Sequence, residues 1–143
     1  MEEYIQFIQQ EWLLVAVFAG LLVALLLLMW RERVIGASRV DPQQATQLIN
    51  KEQALVVDLR DNAAFLQGHI VGAKNIPHTR LAQSQQELSK YKEKPIILTC
   101  EMGRQSGPSG MILRKMGFTR VYMLAGGVQA WRAAGLPLTK TAG

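Results

Sequence analysis

Between Trp12 and Trp30 the chain runs for 19 residues without a charged side chain, and most of those residues are Leu, Val or Ala. A helix of that length spans roughly 28 Å at about 1.5 Å per residue. The hydrocarbon core of a bilayer is about 30 Å thick. A Trp stands at each end, where an indole prefers the headgroup level. A core helix of a water-soluble protein would keep a polar face, and this segment has none. A cleaved signal peptide would open with a basic region. The head of this chain instead holds Glu2, Glu3 and Glu11 with no Lys or Arg, and Gly36-Ala37-Ser38 is a poor cleavage site. A retained transmembrane helix over residues 12–30 is therefore expected. Gly20 stands alone, so no small-residue pairing motif is present in it. Arg31, Arg33 and Arg39 follow the apolar run. Positive residues stay on the cytoplasmic side, which places the short head, residues 1–11, outside and the rest of the chain at the cytoplasmic face.

Beyond Trp30 about 110 residues remain, enough to bury a core. They hold all sixteen Lys and Arg against eight of the eleven Asp and Glu, a balance of +8. The bases are scattered, with Lys90, Lys92 and Lys94 the only close run and no stacking aromatics interleaved, so no nucleic-acid partner is expected. A domain held near anionic headgroups accounts for the charge at least as well. The single cysteine excludes an intramolecular disulfide and a cysteine-rich metal site. A lone thiol suits a reducing compartment.

After a linker over residues 31–39, the stretch 40–140 alternates short apolar runs with amphipathic ones. Asp41-Pro42 reads as an N-cap with proline at the first helical position, opening a helix to about Asn50. Leu55-Val56-Val57 and Pro95-Ile96-Ile97-Leu98 are continuously apolar, as expected of strands buried on both faces. Asp61 caps a brief helix ended by Gly68. Arg80 to Tyr91 is polar and helix-prone, with Leu81, Leu88 and Tyr91 on its inner face. A helix is expected over Ser106–Met116, a strand over Val121–Leu124 and a last helix over Val128–Ala134. Such alternation points to an α/β domain with a mostly parallel sheet.

Cys100 directly follows the run Leu98-Thr99 and precedes Glu101-Met102-Gly103-Arg104-Gln105 and the helix opening at Ser106. In open α/β sheets, ligand sites lie beyond the carboxyl ends of strands. A loop curling there, with a glycine to permit the turn, aims successive backbone N–H groups inward, and such a nest at a helix start stabilises an anion. For a thiol it favours the thiolate. Arg104 adds a positive charge that suits an oxyanion. A single Cys at a strand end is also compatible with a small buried apolar residue. No P-loop is present. A Cys–His pair would need His69 or His78, both in expected loops and both better suited to surface or turn positions. A cysteine-phosphatase loop carries Arg at the sixth position after its Cys, where this chain has Ser106.

Val57-Asp58-Leu59-Arg60, Phe65, Gly68-His69-Ile70, Gly72-Ala73 and Asn75-Ile76-Pro77 resemble the first signature of rhodanese domains. Val121-Tyr122-Met123-Leu124, Gly126-Gly127, Trp131 and Gly135-Leu136-Pro137 resemble the second, and Cys100 stands at the catalytic position between them. The resemblance covers about Val40 to Leu138. It implies a central, mostly parallel five-stranded sheet flanked by helices, and a sulfurtransferase reaction. Cys100 would take a sulfane sulfur from a donor such as thiosulfate or a persulfide, and an acceptor thiol or cyanide would remove it. The six-residue loop Cys100–Gln105 matches the sulfurtransferase branch; the phosphatase-like branch has a longer one.

On this reading Cys100 is the nucleophile, and Glu101, Met102, Gly103, Arg104, Gln105 and Ser106 form the substrate cradle. Asp58 and Arg60 support it by linking their strand end to neighbouring loops, with a plain structural ion pair as the alternative. Trp131 is expected in the core. No cofactor or metal is required, and the second thiol must come from another molecule. The sequence names no protein partner. Many active family members place Arg at the fifth position after the Cys, where this chain has Gln105, with Arg104 one place earlier. That departure, and Glu101 beside the nucleophile, disfavour an anionic donor. They also leave open a second class of function, a rhodanese-fold module for docking proteins at the membrane.

Overall fold

In the computed structural model the described residues are 1–35, 38–104 and 106–141, with the side chains of 32–35 and 106 left aside. They form two units, Met1–Val34 and Ile35–Gly143.

The first unit is helical. The head forms a short helix, α1 (Glu2–Gln10). Its chain direction is reset at Glu11, and α2 (Trp12–Ile35) follows. Every side chain from Trp12 to Arg31 is exposed. Among the described residues, Trp12–Arg31 is the one helix long and apolar enough to cross a membrane, and the same length and composition would suit a signal sequence.

The second unit is an α/β domain. Its elements are β1 (Ser38–Val40), α3 (Pro42–Glu52), β2 (Leu55–Asp58), α4 (Asn62–Gln67), β3 (His69–Ile70), β4 (Lys74–Asn75), α5 (Gln85–Leu88), β5 (Ile96–Thr99), α6 (Ser106–Lys115), β6 (Val121–Leu124), α7 (Gly127–Ala133) and β7 (Leu138–Thr139). The central sheet has the order β1-β6-β5-β2-β4 and all its pairings are parallel. A separate antiparallel pair joins β3 to β7, with His69 opposite Thr139.

The continuous apolar runs have a simple cause: the sheet is covered on both faces. Ile96 and Leu98 of β5 pack with Val57, Leu113, Phe118 and Val121 on one side. Ile97, between them, packs with Val40, Val56, Leu124 and Trp131 on the other. Successive side chains of a strand point to opposite faces, so each layer takes every second residue.

Helix starts follow the cap chemistry. The Asp41 carboxylate accepts from the Gln44 N–H at 2.7 Å, and the Gln44 side chain accepts from the Asp41 N–H at 3.0 Å, a reciprocal capping box ahead of Pro42. Asp61 accepts from the Ala64 N–H at 2.8 Å and opens α4.

Three expectations differ from the structure. Residues 80–91 do not form one helix: 3-10 turns over His78–Gln83 and Ser89–Tyr91 flank the four-residue α5. The Ser84 hydroxyl donates back to the Leu81 carbonyl and competes with the helical ladder, while Leu81 and Leu88 both still reach the core as expected. The stretch 31–39, read as a linker, is largely taken up by the end of α2 and the start of β1. Finally, β1 and β4 escape a pattern search because they have three and two residues and carry Arg39 and Lys74.

Candidate functional site

The carboxyl end of β5, the middle strand of the five, delivers Cys100 to the loop before α6. The thiol is buried, and its Sγ accepts a hydrogen bond from the Gly103 N–H at 2.9 Å. Gly103 sits at φ +88°, a left-handed conformation that glycine adopts without steric cost and that turns its amide back towards the sulfur.

The far side of this loop is held by α7. Val128 N–H donates to the Cys100 carbonyl at 2.8 Å and Gln129 N–H to the Glu101 carbonyl at 3.1 Å. Two of the helix's first-turn donors, which have no intrahelical partner, are satisfied in this way. Those carbonyls therefore face α7, while the Gly103 amide faces the sulfur. The contact is main chain against main chain. A Cβ on Gly127, at φ +61°, would lie 2.2 Å from the Cys100 carbonyl oxygen, and one on Gly103 would lie 3.2 Å from the Gly126 nitrogen. The sequence reading assigned Gly126 and Gly127 no role in the site. Their signal was a Gly-Gly pair between a buried strand and a helix start, which marks close backbone approach.

A second corner lies at the carboxyl end of the neighbouring β2. Asp58 is fully buried and Arg60 nearly so. The guanidinium donates to the Asp58 carboxylate through Nε at 3.0 Å and Nη2 at 2.8 Å, to the Gly68 carbonyl through Nη2 at 2.8 Å, and to Glu101 Oε2 through Nη1 at 3.0 Å. Asn75 donates to the Asp58 and Arg60 carbonyls at 3.1 and 2.9 Å, which ties β4 to the same corner. Burial alone would lower the Arg60 pKa. The hydrogen bonds and charges of Asp58 and Glu101 outweigh it and raise the pKa, so the group stays a cation.

Arg60, Cys100, Glu101, Met102 and Arg104 line a cavity of about 240 Å³. Glu101, Met102 and Arg104 are exposed at its rim. Asp58 is outside the lining and acts on it through Arg60. Ser106 begins α6, and Gln105 lies outside the described residues. Neither histidine lines the cavity. His69 is buried, stacked on Phe65 at 3.7 Å between ring centroids, with Nδ1 2.8 Å from the Phe65 carbonyl; His78 is exposed. The arrangement can hold an anionic sulfur at the cavity floor, with a fixed cation and an exposed one nearby.

Residues 41–134 match the family profile described as a rhodanese-like domain. The chain is 37% identical to the uncharacterized protein YibN of Escherichia coli over 141 residues, covering 98% of this chain and 99% of that protein, so the likeness extends through the amino-terminal helices. It is 37% identical to the thiosulfate sulfurtransferase GlpE of Pseudomonas putida over 95 residues, or 66% of this chain and 84% of that one. Among solved structures, a rhodanese-related protein from Thermoplasma volcanium shares the fold with a TM-score of 0.65 at 22% identity, over 73% of this chain and 99% of that one.

Proposed function

The chain belongs to the family of rhodanese-like domains, and from that premise we propose that it is a sulfurtransferase working through a persulfide on Cys100 at a membrane surface. The observation that carries this reading is the Gly103 N–H aimed at Cys100 Sγ in a loop whose Cys100 and Glu101 carbonyls are bonded to α7 instead. A fixed donor at the sulfur suits both anions of the cycle, thiolate and persulfide. The Cys100 thiolate attacks the outer sulfur of the donor. One S–S bond forms as the donor's own S–S bond breaks, and the electron pair leaves on sulfite when thiosulfate is the donor, or on a thiolate when a persulfide is. An acceptor thiolate, or cyanide, then attacks the terminal sulfur and returns Cys100 to the thiolate. With one cysteine in the chain, that acceptor belongs to another molecule.

Glu101 shapes the choice of donor. Its carboxylate is paired with Arg60, whose charge is already shared with Asp58, so two carboxylates face one cation and the corner presents no net positive charge to a dianion. Arg104 at the rim is left to receive the donor's negative group. This balance favours persulfide donors over thiosulfate. We place the helix Trp12–Arg31 across a membrane, with the domain on the cytoplasmic side because Arg31, Arg33 and Arg39 follow the span.

Intact-mass analysis of the full chain after incubation with a donor tests the reading. A gain of about one sulfur atom (roughly 32 Da) on the wild type and none on Cys100→Ala is expected. No gain with thiosulfate or with a glutathione persulfide would overturn the enzyme and favour a docking module.

A further inference from the structure

The two ends of the parallel sheet differ in charge. At the carboxyl end, around Cys100 and the end of β4, stand Asp41, Asp58, Asp61, Glu87 and Glu101 against Arg60, Lys74, Arg80 and Arg104, with Lys74 and Arg80 both paired to Glu87. At the amino end the balance is reversed. The starts of β2, β5 and β6 are in register, with Leu55 beside Ile96 and Ile96 beside Val121. The residues just before those starts, and the helix ends that lead to them, carry Lys51, Lys92, Lys94, Lys115 and Arg120; the acids there are Glu52 and Glu93. Local contacts gather these groups. Arg120 pairs with Glu52, which ties the end of α3 to the start of β6. The Lys92 ammonium lies 3.9 Å from where a Cβ on Gly117 would stand, just past α6. The lysines are exposed. β1 runs parallel to β6 and begins one row in from this end, with Ser38 beside Tyr122.

We propose that the amino-terminal end of the sheet is a lipid-facing surface that rests on anionic headgroups, while the Cys100 cavity opens at the opposite end of the sheet. The partner is the phosphate of an anionic phospholipid, and the proposal rests on reading Trp12–Arg31 as an anchor. Each cation held near an anionic leaflet strengthens association by about fivefold. The range of the attraction is about 8 Å at physiological salt and about 3 Å at 1 M. Sulfur donors and acceptors then reach Cys100 from the aqueous side without crossing the headgroup layer.

The test uses the full chain in nanodiscs of phosphatidylcholine, with and without phosphatidylglycerol. A small N-hydroxysuccinimide ester labels the lysines, and mass spectrometry reads each rate. Lys92, Lys94 and Lys115 are expected to react about fivefold more slowly in the anionic discs, with Lys74, beside Val57 in the carboxyl half of the sheet, unchanged and the difference lost in about 1 M salt. Charge reversal by K92E/K94E/K115E should remove the protection of Lys51 while the chain stays in the disc. Equal rates in both discs, or protection centred on Lys74, would overturn the surface and leave the anchor standing. A chain that enters neither disc, and that alkaline carbonate extracts from membranes, would overturn both.

Discussion

The two corners that meet at the cavity are held by different means. At the end of β2 the structure depends on side chains: one guanidinium reaches a buried carboxylate, a backbone carbonyl and the Glu101 carboxylate of the next loop. At the end of β5 it depends on main chain: glycines at 103, 126 and 127 let two backbones meet, and amides rather than side chains address the sulfur. The first corner fixes where the loops stand. The second fixes what the thiol experiences. A change at the first should therefore appear chiefly in stability, and a change at the second chiefly in reactivity.

The largest effect should come from Arg60→Ala, which leaves the Asp58 carboxylate buried without its cation. A loss of about 3–5 kcal/mol is expected in chemical unfolding of the detergent-solubilised chain. Arg60→Lys should recover only part of it, since an ammonium cannot reproduce the fork. If the alanine variant unfolds like the wild type, the β2 corner is not the structural one.

Gly127→Ala should come next. The added methyl meets the Cys100 carbonyl oxygen in a left-handed conformation, so the loop must move. We expect about 2–4 kcal/mol of destabilisation, together with persulfide formation slowed about a hundredfold by misplacement of the sulfur. A variant that loses stability but keeps its rate would remove the distinction between the corners.

The smallest effect sharpens the contrast. Glu101→Gln keeps the shape of the rim and deletes one charge from a half-exposed group, so its stability cost should stay below about 1 kcal/mol. Persulfide formation from thiosulfate should rise about fivefold at low ionic strength, fading as salt is added, while the rate at which a neutral dialkyl trisulfide donor turns Cys100 into a mixed trisulfide, releasing one alkylthiolate, stays constant. Equal changes with both donors would show that Glu101 acts through loop position rather than charge.

How far the sequence disclosed this arrangement follows the same division. Val56-Val57 and Ile96-Ile97-Leu98 announced themselves because burial on two faces demands an unbroken apolar run, and the Asp41 and Asp61 caps were readable because their partners lie three residues away. The order of Cys100, Gly103 and the two flanking signatures pointed to the loop after β5 as the candidate site. The Arg60–Glu101 pair was not legible, because it joins residues 41 apart in sequence that only the β2–β5 pairing brings together. The support of the Cys100 loop by Val128 and Gln129 was hidden for a related reason: those bonds use backbone atoms, which every residue possesses. Residues 78–91 misled because helix propensity there is sound locally, while the buried Ser84 bonds back to the Leu81 carbonyl where the helix is interrupted.

The pairing of β7 with β3, and of β6 with β1, bears on how the chain is made. His69 and Ile70 wait for Leu138 and Thr139, and Ser38 waits for Tyr122. During synthesis at about 5–20 residues per second the earlier strands emerge several seconds before their partners. The apolar helix Trp12–Arg31 emerges before either pairing can close, so its fate is decided while β1 and β3 still lack their partners.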